Sequence, residues 1–123
     1  MYDKSLVMEI LIQIVNASNT VAQRFEVVDS VNYFTDTPMG MEKLDGICMQ
    51  LIAIGESLKN IDKITDKKLL VHYPQVDWKG AKGIRDIISH HYFDIDADEI
   101  YFVCDTKLDT LIKTIEKILE DLK

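Results

Sequence analysis

The chain has 123 residues, 47% of them apolar, with only five glycines and two prolines. That length and composition suit one modest globular core and exclude a disordered or low-complexity chain. The formal net charge of −7 argues against a protein that coats nucleic acid indiscriminately.

The first expected helix starts after Asp3, whose carboxylate suits an N-cap. Leu6, Ile10, Leu11, Ile14, Ala17, Val21 and Phe25 recur at intervals of three and four, which makes one apolar stripe on a long amphipathic helix. The pattern weakens over 28–36, where a break is expected. Thr37 is a good N-cap for a second helix, and Pro38 fits its first position, where no N–H is needed. Leu44, Ile47, Cys48, Leu51, Leu58 and Ile61 continue the stripe, and Gly55 interrupts it. A glycine inside a helix costs about 1 kcal/mol relative to alanine; close approach of a neighbouring helix explains it best. Residues 62–76 are polar and irregular, and Pro74 turns Tyr73 out of helical geometry. Asp77 then caps a third helix beginning at Trp78. Asp96 with Glu99 has capping-box spacing and opens a short fourth helix. The last helix runs from about Thr106 to Leu122, with Leu108, Leu111, Ile112, Ile115, Ile118, Leu119 and Leu122 on one side. No strand-like alternation appears. The expected architecture is all-α, an antiparallel bundle of about five helices forming one domain over residues 1–123.

The opening Met1-Tyr2-Asp3-Lys4 lacks the basic start and apolar run of a secretory leader. No uninterrupted apolar stretch approaches the roughly 20 residues of a membrane span. Cys48 and Cys104 each fall inside an apolar helical pattern, as buried free thiols do in a reducing compartment. A cytoplasmic location without membrane attachment is expected.

The charge is unevenly spread. Residues 59–85 hold Lys59, Lys63, Lys67, Lys68, Lys79, Lys82 and Arg85 against Asp62, Asp66 and Asp77, while the remainder holds seven basic and 18 acidic residues. An acidic body thus carries one basic stretch.

That stretch runs into the third helix. With Arg85 at zero and about 100° per residue, Ile84, Ile88, His91 and Ile87 fall on a core-facing arc at about −60° to −160°. Ser89, Lys82, Asp86, Lys79 and His90 lie with Arg85 on a polar arc reaching about 140°, and Tyr92 lies beside Arg85 at about −20°. His91 is therefore assigned to packing. His90 points into a strip bearing Lys79, Lys82 and Arg85. An imidazole titrates near neutrality, and neighbouring cations favour its neutral, proton-accepting form. A base and a cation are the parts that metal-free RNA cleavage needs. The base takes the 2′-OH proton, and the cation stabilises charge on the phosphoryl oxygens. His90 and Arg85 supply these roles, and Lys79 and Lys82 suit neighbouring phosphates. About 140° separates Arg85 from His90 on one regular helix. Unwinding near His90, a wrapped Arg85 side chain or two subunits each contributing one group would bring them together; a cleft between two copies is favoured.

Arg85, four residues, His90, one residue and Tyr92 form an R-x4-H-x-Y pattern. It resembles the motif of HepT-like ribonuclease toxins in the HEPN superfamily. Ile54-Gly55-Glu56-Ser57 resembles that family's second-helix element, and Tyr73-Pro74-Gln75-Val76-Asp77-Trp78 its lead into the motif helix. Gly83-Ile84-Arg85-Asp86 and His91-Tyr92-Phe93-Asp94-Ile95-Asp96 fit the motif's flanks, and the resemblance is strong over 44–119.

The resemblance implies an all-helical homodimer and a metal-independent endoribonuclease that needs no cofactor. It also implies a toxin whose partner is an MntA-like minimal nucleotidyltransferase antitoxin, which adds AMP to the motif tyrosine, here Tyr92. One departure is Asp86, where the wider superfamily often has asparagine; Lys82 and His90 are its two candidate partners. Glu56 is either a hydrogen-bond partner of Arg85 or a solvent-facing residue beside a packing glycine. Ser89 is a supporting candidate on the same arc. A non-catalytic dimer that binds a nucleotide, an RNA or the partner nucleotidyltransferase is the alternative function. A carboxylate-bridged metal bundle is disfavoured because the chain has no E-x-x-H pair.

Overall fold

The computed structural model describes residues 2–90 and 96–123, with the backbone alone at His90. Six α-helices form among them: α1 (Lys4–Phe25), α2 (Val31–Thr35), α3 (Pro38–Thr65), α4 (Trp78–His90), α5 (Ala97–Thr106) and α6 (Leu108–Leu122). The all-α expectation holds. The expected count of about five helices becomes six, because the break after α1 contains the short α2. Five residues cannot display a periodic stripe, and Ser30 at its start makes no side-chain cap bond, so α2 left no pattern to read.

The expected caps form. Asp3 accepts from the Leu6 amide at 3.1 Å, Thr37 Oγ1 from the Gly40 amide at 3.0 Å and Asp96 from the Glu99 amide at 3.1 Å. Each satisfies one of the four amides a helix start leaves unpaired.

Helix α3 is the hub and packs against α1, α2 and α4, while α1 also meets α6 and α5. The core contains Val7, Leu11, Ile14, Leu44, Ile47, Leu58, Ile61, Ile115 and Ile118, each 1% exposed or less. The α1 stripe is rotated slightly from its expected position. Leu6 is 41% exposed while Val7 is fully buried, and Ser18 rather than Ala17 faces the interior. Helix α1 has 22 residues and contains an 18-residue window of mean hydropathy 1.3, long and apolar enough to cross a membrane. Here its stripe is spent on the core, and Gln13, Asn16, Asn19 and Gln23 occupy its exposed side. Arg24 Nη1 donates to the Gly46 carbonyl at 3.0 Å and ties the end of α1 to α3.

The α3–α4 contact positions the polar arc. A Cβ on Gly55 would stand 2.9 Å from the Ala81 carbonyl oxygen and 3.3 Å from Ile84 Cγ2, so the absence of a side chain lets the two backbones touch. Glu56 meets Arg85 and Asp62 meets Lys82, an order that makes the helices antiparallel. After α3 the chain does not remain irregular throughout. Leu70–His72 form a 3₁₀ turn, and Leu69 and Leu70 are buried under it. The Trp78 indole N–H donates to the Tyr73 carbonyl at 2.8 Å and fixes the approach to α4.

Candidate active site on the α3–α4 face

Helix α4 starts where Asp77 accepts from the Gly80 amide at 3.0 Å and stays helical through His90. Ile84 and Ile88 are 6% and 5% exposed, so the core-facing arc is confirmed at those positions. Ile87, at that arc's far edge, is 39% exposed. It lines an apolar cavity of about 300 Å³ whose other walls include Leu51, Ile54, Ala81 and Leu111. Arg85 does not line that cavity; it faces solvent with Lys79, Asp86 and Ser89.

Glu56 holds Arg85. Arg85 Nη1 donates to Glu56 Oε1 at 3.3 Å, and Lys59 Nζ stands 3.1 Å from Glu56 Oε2. The carboxylate thus bridges two cations across the helix pair. Arg85 and Glu56 are 53% and 42% exposed, so the contact adds little stability. Its consequence is geometric: the guanidinium is held in one place while still reachable from solvent. Of the two readings of Glu56, the partner of Arg85 is the one observed.

Lys82 does not pair with Asp86. Its ammonium is bound by Asp62 of α3, in a pair whose side chains are 27% and 10% exposed. Asp62 was missed as a site neighbour, although a signal existed: it stands four residues after Leu58 and so on the buried stripe. A carboxylate there requires a cationic partner. Asp86 is exposed and makes no ion pair among the described residues. Lys79 is likewise exposed and unpaired among them. Cationic reach on α4 therefore lies with Arg85 and Lys79, while the charge of Lys82 is largely answered.

His91 and Tyr92 lie outside the described residues, and so does the side chain of His90. What the structure contributes to the Arg85–His90 question is the backbone. Since α4 is helical up to His90, the helix does not unwind between the two residues.

Cys48 and Cys104 are buried and free. Burial, followed by the nearby charges of Asp45 and Cys48 respectively, pushes both thiols up to about 12. Neither can supply a thiolate nucleophile near neutral pH.

A family model described as Ribonuclease HepT-like matches residues 21–118. Three proteins of Methanocaldococcus jannaschii are similar to the chain. Putative RNase MJ0127 is 33% identical over 100 residues, covering 80% of this chain and 79% of its own length. Its namesakes MJ0125 and MJ1216 are 32% and 30% identical over 76 residues. Those two matches cover 62% of this chain, with 60% and 58% of the relatives' own lengths. No solved structure matches the chain.

Proposed function

The chain belongs to the HepT-like ribonuclease family, and we propose that it is a metal-independent endoribonuclease toxin working as a homodimer, with His90 and Arg85 as its reacting groups. The observation that carries this reading is Arg85 itself: solvent-facing, about 1.4 turns before His90, and held by Glu56 on a face that also bears Lys79.

Neutral His90 takes the 2′-OH proton, and the freed oxygen attacks the adjacent phosphorus. Arg85 stabilises the charge that builds on the non-bridging oxygens. The 5′ oxygen leaves and takes up a proton, so the products carry a 2′,3′-cyclic phosphate and a 5′-hydroxyl. Lys79 holds a neighbouring phosphate, with Lys82 a weaker contact because Asp62 shares its charge. Asp86 and Ser89 are placed to orient groups on the same face.

A continuous α4 keeps the two reacting residues about 140° apart within one copy, which supports a cleft between two copies. The exposed Ile87 gives the motif helix an apolar edge for such pairing. In this reading an MntA-like nucleotidyltransferase silences the toxin. The Tyr92 hydroxyl attacks the α-phosphorus of ATP, pyrophosphate leaves, and the AMP group brings negative charge and bulk into the cleft. The chain is one helical domain of the cytoplasm.

The test uses purified protein, single-stranded RNA and excess EDTA, followed by end analysis of the fragments. Cyclic-phosphate ends support the mechanism; 3′-hydroxyl ends, or cleavage abolished by EDTA, refute it. The paired state of Lys82 and the overall charge of −7 favour a second reading, a non-catalytic dimer that binds RNA or the nucleotidyltransferase. RNA binding without cleavage by unmodified protein would select it.

A further inference from the structure

Beyond Lys82, on the side away from His90, the face widens into an open groove of about 480 Å³. Lys59, Lys63, Lys67 and Lys82 line it with Asp62 and Asp66. The four lysines differ in how far their charge is already answered. Asp62 holds Lys82, and Glu56 lies 3.1 Å from Lys59. Asp66 lies 3.7 Å from Lys68, which does not line the groove. Lys63 and Lys67 are exposed and make no ion pair among the described residues. They are the groove's uncompensated cations.

The backbone gives a second observation. Asp66 and Lys67, just past the end of α3, both have positive φ, 54° and 60°. One left-handed residue commonly ends a helix, and it is usually glycine because a Cβ is strained there. Two in succession, neither glycine, is an uncommon arrangement, and strain of this kind gathers at ligand-holding segments. Here the strained turn is what puts Lys67 on the groove wall beside Lys63.

The antiparallel pairing fixes the groove's register to Arg85. Lys82 and Lys79 lie about 4.5 and 9 Å back along the α4 axis from Arg85. Phosphates recur at every nucleotide of a strand, so a strand with one phosphate at Arg85 and running back along α4 passes its next few over this groove. Among the described residues no aromatic side chain lines it, so they offer no platform on which a base could stack.

We propose that this groove is a track for the phosphate backbone of single-stranded RNA next to the cleaved step, with Lys63 and Lys67 as its chief contacts. The proposal rests on the ribonuclease reading for its choice of ligand. The track supplies affinity and register without reading sequence.

The test is the salt dependence of binding between a labelled oligouridylate and Lys63→Ala/Lys67→Ala protein, measured beside wild type. Both side chains are exposed, so the fold should be retained, and circular dichroism checks this. Each single-strand phosphate contact contributes about 0.7 to the slope of log affinity against log salt, so losing two should lower it by about 1.4. In cleavage assays the loss should fall on KM rather than kcat. Lys67→Gly adds an independent sign: relief of the left-handed strain should raise the melting temperature while RNA binding weakens. An unchanged slope overturns the track, as does a wild-type protein that shows no salt-dependent binding of the oligouridylate. Failure of the ribonuclease reading looks different. Wild type would then bind with the steeper slope and leave the RNA uncut.

Discussion

Gly55→Ala opposes two effects whose difference has a definite sign. Helix propensity alone favours the alanine by about 1 kcal/mol. The new methyl group would stand 2.9 Å from the Ala81 carbonyl oxygen and 3.3 Å from Ile84 Cγ2. The nearer partner is helix backbone, which cannot turn aside as a side chain can, so α3 and α4 must move apart by a few tenths of an ångström. Overpacking of this kind typically costs 1–3 kcal/mol. A net loss of about 1 kcal/mol is expected, near the middle of that range once propensity is subtracted. For a chain of this length it should lower the melting temperature by about 4 °C. The same separation pulls Arg85 from Glu56, so RNA cleavage should fall further than the folded fraction does. Urea titration followed by circular dichroism measures the stability. A more stable Gly55→Ala protein would refute the argument that Gly55 is there for close approach.

Other expectations follow from single contacts. Asp62→Ala leaves the Lys82 ammonium half-enclosed without a partner. Breaking a fully buried pair costs about 3–5 kcal/mol, and the partial exposure of these two side chains reduces the expectation to about 2 kcal/mol; thermal melts check this, and a neutral result would mean that Lys82 finds water instead. Stability should also fall in alkali. Burial raises the Cys48 and Cys104 thiols from 9.0 to about 12, so between those values the unfolded chain gives up protons that the folded chain keeps. The thiol contribution is complete below pH 9 and lost as pH climbs through 12. Replacing both cysteines with alanine should flatten that part of the stability–pH curve, and an unchanged slope would assign it to other groups.

Sequence pattern and fold coincide where one physical rule acts alone. Stripes of three- and four-residue spacing located α1, α3 and α6, and Asp3, Thr37 and Asp96 marked helix starts because a short oxygen-bearing side chain satisfies an orphan amide wherever it stands. Gly55 was legible for a similar reason, since an interior glycine in a good helix requires a local cause. Helix α2 was not legible, being too short for any period. The choice of Val7 over Leu6 for the core depends on the azimuth at which α1 meets its neighbours, which one helix's pattern does not specify. The site divides along the same line. The polar arc of α4 was readable from 100° steps, whereas the pairing of Lys82 with Asp62 rather than Asp86 depends on which turn of α3 faces which turn of α4. Gly55 sets that register through close contact, and only the folded chain displays it.

In the proposed site, RNA is cut by His90 of one copy with Arg85 of the other. The most direct measurement compares RNA cleavage in EDTA by wild type, Arg85→Ala, His90→Ala and the two variants co-expressed and purified together. Each variant alone should be inactive. Random pairing makes half the dimers mixed, each with one of its two shared sites intact, so the mixture should regain about a quarter of wild-type activity. Wild-type cleavage rates in His90→Ala alone, or no recovery in the mixed dimers, would contradict it.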